Sequence, residues 1–191
     1  FSECDQKMKN DNLIIRSTTI VGVRVKGKVA VAGDGQVTLG DMAMKQKAVK
    51  VRKFDSPKGG VVGGFAGAAA DALTLFERFE QKLDEYEGDL KRSVVEMAKD
   101  WRTDKILRHL EALLLVMDKR NSFIIAGDGN VIEPDGPIVA IGSGGGFAQA
   151  AATAFHQSGK FSVKQIVEKS LKITADLCIY TNDSITVLEL K

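Results

Sequence analysis

The chain has 191 residues, 44% of them hydrophobic and 27% charged, a balance that suits a folded domain and excludes a disordered tail or a coiled coil. A net charge of +2 is too small for a protein whose main partner is nucleic acid, and no apolar run reaches the roughly 18 residues of a membrane-spanning helix. Cys4 and Cys178 are too few for a disulfide framework and point to a reducing compartment.

Phe1 to Ser17 differ from the rest: polar, mixed in charge, with one short apolar patch at Leu13, Ile14 and Ile15. They lack the basic start and long apolar stretch of a secretory signal, and Glu3, Asp5 and Asp11 argue against a mitochondrial presequence. We read 1–17 as a leader and 18–191 as the folded domain. Thr19 to Val25 and Lys28 to Ala32 are rich in β-branched residues and read as two strands joined by a Lys26-Gly27 hairpin. Gly33-Asp34-Gly35 makes a sharp turn. Ala48 to Phe54 and Gly60 to Phe65 read as further strands, with turn chemistry between them.

The middle reads as helical. Leu73, Phe76, Phe79 and Leu83 recur at helical spacing, and Gly88 ends that helix. A second helical stretch is expected from Leu90 to Met117, with a bend or break near Arg102 to Asp104. Strands return at Ser122 to Ala126 and Val131 to Ile132, joined through Asp128-Gly129, then at Ile138 to Ile141. After the Gly142 to Gly146 loop, Ala148 to His156 and Val163 to Ile179 read as helices, the latter capped by Ser162 with Gln165 three residues on. Ile185 to Leu190 closes with a strand. Strands grouped in hairpins, with helices in pairs, imply an α+β fold of stacked antiparallel sheets covered by helices, not a Rossmann-type parallel sheet.

The usual catalysts are poorly provided. His109 and His156 both fall in helical segments, and no H-E-x-x-H or C-x-x-C zinc motif occurs. The Gly142 to Gly146 loop precedes a helix but lacks the lysine and hydroxyl of a P-loop. It suits close backbone approach to a substrate or a neighbouring strand. The informative place is Ser17-Thr18-Thr19, where the leader meets the first strand. Cleavage after Ser17 would give Thr18 both a hydroxyl and a free α-amine. Such an amine titrates at about 7.7–8.0, so one residue supplies nucleophile and base near neutral pH.

Thr18-Thr19-Ile20-Val21-Gly22-Val23-Arg24 and Ala32-Gly33-Asp34-Gly35-Gln36-Val37-Thr38-Leu39-Gly40 resemble the start of the HslV (ClpQ) family, the proteasome-like threonine peptidases of the HslUV complex. Further stretches agree: Gly64-Phe65-Ala66-Gly67, Ala98 to Asp104 around Trp101, Ala140 to Gly145, and Cys178-Ile179-Tyr180-Thr181-Asn182. The resemblance runs from Thr18 to about Glu189. It implies the N-terminal nucleophile hydrolase fold, an αββα sandwich of two antiparallel sheets between helical layers. It implies Thr18 as nucleophile and Lys50 as the cation beside it. Asp34 would be the carboxylate that orients Lys50 and holds it charged, Gly64 the oxyanion-hole N–H, and Ser143 a serine near the threonine amine. It further implies a sodium site at Ala175, Cys178 and Thr181.

As partners the resemblance implies an HslU-like AAA+ ATPase hexamer, other copies of this chain in two stacked hexameric rings, and unfolded protein as substrate. ATP would bind the partner and not this chain, and neither nucleic acid nor membrane is expected. The bacterial cytoplasm is the implied location, with the mitochondrial matrix as alternative. The chain departs from the family at Ser143-Gly144-Gly145-Gly146-Phe147, where the usual motif is Ser-Gly-Gly-Pro-Tyr, and in a loop at 55–60 about two residues longer than usual. The leader is the larger departure, since many members lose only an initiator methionine. While Ser17 is attached the amine is an amide, so the chain as written is expected to be an inactive precursor. Two rivals compete: a leader-retaining, inactive ring subunit that serves assembly, and a phosphate-binding module built on Gly142 to Gly146.

Overall fold

Strands buried on both faces must be apolar at consecutive positions, and the two central sheets are built from such runs. The computed structural model describes residues 18–39, 42–67, 69–104 and 112–190. Strand β1 (Thr19–Val25) and β2 (Lys28–Gly33) form the expected hairpin, with Lys26 and Gly27 both at positive φ. They lie at the centre of a four-stranded antiparallel sheet. Its outer strands are β10 (Ile138–Gly142) beside β1 and β11 (Thr186–Leu190) beside β2.

A second antiparallel sheet runs in sequence order through β5 (Val51–Phe54), β6 (Val61–Ala66), β7 (Leu113–Met117), β8 (Ser122–Ala126) and β9 (Val131–Ile132). A separate two-stranded ribbon, β3 (Val37–Leu39) with β4 (Met42–Lys45), projects between β2 and β5.

Alternation along β1 shows how the layers stack. Ile20 joins Val31, Val62, Leu115 and Ile141 in the core between the sheets. Val21 and Val23 point the other way, into a core with α3 (Gly145–Gln157) and α4 (Val163–Leu177). On the far side, α1 (Ala69–Glu85) and α2 (Leu90–Thr103) cover the second sheet. Phe79 stacks edge-on against Phe54 at 5.0 Å there, and Trp101 is fully buried in the same cluster. Helix pair, sheet, sheet, helix pair is the αββα sandwich expected.

Three expectations need correction. Leu113 and Leu114, read as the continuation of a long helix, lie in β7 at the centre of the second sheet. Their run of apolar residues satisfies a helical period and a doubly buried strand equally, so spacing alone could not separate the two. The helix does end within the expected stretch, at Thr103, and Ile106, Leu107 and Leu110 lie outside the described residues. Second, the strand expected over Ala48 to Phe54 begins only at Val51, because the Ala48 N–H leaves the sheet to bond the Gly35 carbonyl at 2.8 Å. Third, β3 and β4 were not foreseen: Met42–Lys45 is exposed at every position and lacks inward-outward alternation.

Candidate active site

The site forms at the start of β1, where four chain segments meet. Thr18 stands just ahead of the strand. Its carbonyl accepts the Ser143 N–H at 3.0 Å, extending the β1–β10 pairing by one step. The approach is so close that a Cβ on Gly142 would strike that carbonyl, and Gly142 sits at φ 91°, where a side chain is strained. Thr19 then ties three further segments together. Its N–H donates to Asp34 Oδ1 at 2.8 Å, and its hydroxyl pairs with the Thr181 hydroxyl at 2.7 Å while accepting the Gly144 N–H at 3.0 Å.

Asp34 follows β2 and is fully buried. A buried carboxylate is tolerable only with donors around it, and Asp34 has them on both oxygens. Oδ1 takes the Thr19 N–H and the Lys50 ammonium at 3.0 Å; Oδ2 takes the Gln36 N–H at 2.9 Å, with the Asn182 N–H at 3.5 Å. Lys50 reaches this carboxylate from the end of the segment before β5, and its ammonium also donates to the Gln36 carbonyl. The Lys50 carbonyl is tied to the second sheet by the Phe65 N–H at 3.0 Å. One ammonium therefore sits between the sheets, one carboxylate oxygen away from the backbone of Thr19.

Burial pushes the Lys50 ammonium below the ordinary lysine value of 10.5, and the charge of Asp34 and its hydrogen bond pull it back up. The pairing with Asp34 works in the expected direction, but burial is the larger effect.

Gly64 does not fit the oxyanion role. In an antiparallel ladder the N–H groups of alternate residues point to opposite neighbours. The Phe65 N–H points to β5, so the Gly64 N–H points to β7, where Gly64 pairs with Leu115. Gly64 lacks a side chain for another reason: a Cβ there would lie 2.5 Å from Ile20 Cγ2 in the opposing sheet. Continued alternation returns the Gly67 N–H to the side of Lys50. Gly67 sits at φ 153°, where a Cβ would crowd Phe65 and Ala112, so it is the glycine whose backbone requires glycine. Ser143 meets Thr18 through its backbone N–H on the Thr18 carbonyl, and is itself exposed.

Ala175 lies in the last turn of α4, Cys178 caps it and Thr181 follows in the next loop. Carbonyls at a helix C-terminus are hard oxygen donors with partial negative charge, the chemistry that suits a monovalent cation. The Cys178 carbonyl accepts the Thr181 N–H at 3.0 Å and has a second lone pair. Backbone oxygens at these three positions are thus the kind of donor a sodium ion takes. No group of three or more His, Cys, Asp or Glu able to hold a metal occurs among the described residues, and the Thr181 hydroxyl is engaged by Thr19.

The glycine loop is not built as a phosphate cradle. Its first two free N–H groups, of Ser143 and Gly144, serve Thr18 and Thr19. His156 lies in α3 outside this network, and His109 lies outside the described residues. The reading by residue type passed over Gln36, Gly67, Thr19 as a side chain, and Asn182. All four stand inside motifs that carry the family resemblance, which was the one signal that could have found them.

A two-layer sheet sandwich with a threonine at the head of a central strand and a buried lysine–aspartate pair bonded to the backbone of the next residue describes the proteasome class of fold. The family model for proteasome subunits matches residues 14–190, and the chain belongs to that family. It is 54% identical over 176 residues to the ATP-dependent protease subunit HslV of Aquifex aeolicus, covering 92% of this chain and 99% of that one. It is also similar to the crystal structure of eukaryotic HslV from Trypanosoma brucei, at 43% identity and a TM-score of 0.84, covering 91% of this chain and 99% of that one. BPH from Thiobacillus denitrificans, solved in complex with epoxomicin, shares the fold at 20% identity and a TM-score of 0.70, covering 91% of this chain and 99% of that one.

Proposed function

We propose that this chain is the peptidase subunit of an ATP-dependent protease and that Thr18, freed by cleavage after Ser17, is its nucleophile. The observation that carries the reading is Asp34 Oδ1, shared by the Thr19 N–H and the Lys50 ammonium. It supports the reading by bringing a buried cation within one carboxylate oxygen of the Thr19 N–H, the peptide group that follows Thr18. With Ser17 attached, the Thr18 nitrogen is an amide and Thr18 is 3% exposed, so the chain as written has neither base nor access.

After cleavage the Thr18 amine takes the proton from Oγ, and Oγ attacks the scissile carbonyl. The Lys50 ammonium disfavours protonation of that amine and stabilises the developing alkoxide. The oxyanion takes the Gly67 N–H. Collapse breaks the peptide C–N bond, the leaving amine takes the proton held on the Thr18 amine, and an ester remains on Oγ. Water, deprotonated by the same amine, hydrolyses it. Sodium bound by carbonyls of Ala175, Cys178 and Thr181 would supply fixed positive charge at the end of α4. The partner is an HslU-like ATPase hexamer, which binds the ATP and delivers unfolded polypeptide into two stacked hexameric rings of this chain.

The test is peptide hydrolysis by the matured chain and by Thr18→Ala, each with and without the ATPase, together with the intact mass of the active species. Turnover that depends on Thr18 and on loss of residues 1–17 supports the reading. Full activity with the leader attached overturns it, and no turnover after forced cleavage favours the inactive assembly subunit.

A further inference from the structure

Lys50 is placed by a segment, residues 46–50, that belongs to neither large sheet. Something must hold that segment against Asp34. Its local ties are few: the Ala48 N–H bonds the Gly35 carbonyl, and the Lys50 carbonyl bonds the Phe65 N–H. The remaining strap comes from across the sequence. Asn182 Nδ2 donates to the Gln46 backbone carbonyl at 2.9 Å and to Gln46 Oε1 at 2.7 Å. Asn182 Oδ1 accepts the Gly35 N–H at 3.0 Å and the Ser184 N–H at 3.2 Å. Its own N–H points to Asp34 Oδ2 at 3.5 Å.

A single side-chain amide therefore grips the turn that carries Asp34 with its oxygen and the segment that carries Lys50 with its nitrogen. Gly35 makes the grip possible, because a Cβ there would lie 2.5 Å from the Gln46 carbonyl oxygen and 3.0 Å from that of Ser184. Asparagine suits this task because its amide presents a donor and an acceptor on one rigid plane; aspartate offers no donor and alanine offers neither.

We propose that Asn182 is a positioning residue for the peptidase reaction, setting the approach of Lys50 to Asp34 and Thr18 by bridging Gly35 to Gln46. This rests on the reading of Thr18 as nucleophile. Acting through the placement of Lys50, its effect belongs to the chemical step. A misplacement of about 1 Å in a catalytic group costs up to roughly a hundredfold in rate.

The experiment compares wild type, Asn182→Ala and the milder Gln46→Ala in the leader-free enzyme with its ATPase. It reads peptide kcat and KM, ring assembly, and amide hydrogen exchange of the 46–50 segment and of Gly35. Asn182→Ala should lower kcat about tenfold to a hundredfold and leave KM within about twofold. Exchange should rise at 46–50 and Gly35 without a rise in the sheet cores, and Gln46→Ala should show a smaller change in the same direction. Unchanged kcat and exchange in Asn182→Ala overturns the proposal, as does a rise in KM alone. If Asn182→Ala fails to assemble, Gln46→Ala decides, and unchanged exchange at 46–50 in that variant counts against the strap. If wild type shows no peptidase activity, the functional reading fails while the exchange measurement still decides whether Asn182 holds the segment.

Discussion

At the scale of single residues, Lys50 is the most informative side chain. It is 7% exposed and ion-paired to a carboxylate that is 0% exposed. Lys50→Met should lower kcat at least about a hundredfold while the fold survives, since Asp34 keeps backbone N–H donors from Thr19 and Gln36. Peptide turnover and a thermal melt of the same sample check both halves. Its depressed pKa gives a second expectation. The unfolded chain holds the Lys50 proton more tightly than the folded chain, so folding releases it more readily as pH approaches 10.5. Wild type should therefore gain stability relative to Lys50→Met as pH rises from neutral toward 10.5; urea melts of both chains across that range would show it, and a constant difference would refute it. The partnership of Asp34 and Lys50 was legible from residue types at matching motif positions. What sequence could not show is that one oxygen of Asp34 serves both partners, because that depends on β2 and the 46–50 segment meeting in space.

At the scale of elements, Gly64 within β6 and Gly67 just beyond its end separate packing from chemistry. Gly64→Ala presses a methyl group into Ile20 across the inter-sheet core and should cost about 1–3 kcal/mol. In an Ile20→Ala background the same methyl group should cost less, as read by the difference in melting temperature between the double variant and Ile20→Ala alone. Gly67→Ala disturbs a positive-φ backbone and the N–H assigned to the oxyanion, so its main effect should be on kcat, about a hundredfold, in the peptide assay. Motif reading chose Gly64 because its neighbours matched the family. Ladder alternation, invisible without the register of β5 against β6, is why the proposed role goes to Gly67 instead. Helix α4 shows the opposite case: Ser162 and Gln165 form the capping box their spacing announces, since both bonds are local. Ser162→Ala should cost about 1 kcal/mol in a urea melt and leave peptide hydrolysis unchanged. β7 was misread because Leu113 to Met117 has no polar face, and only its pairing with β6 and β8 declares it a strand.

At the scale of the whole molecule, the layer order was legible because hairpins and helix pairs alternate along the chain, and each sheet must be buried on both sides. The ribbon β3–β4 was not legible, since nothing in its exposed residues registers a core. Met42 and Met44 stand 68% and 60% exposed on it, and Ile179 is 80% exposed. Asp34 joins β2 to a loop 148 residues further on, and Thr19 joins β1 to Gly144 across 125 residues. During synthesis the β1–β2 hairpin can close early, yet the strand that pins Thr18 and the asparagine that grips the Lys50 segment leave the ribosome long afterwards. A nascent chain thus lacks these ties while most of it is still being made, and the proposed centre would come together only as translation nears its end.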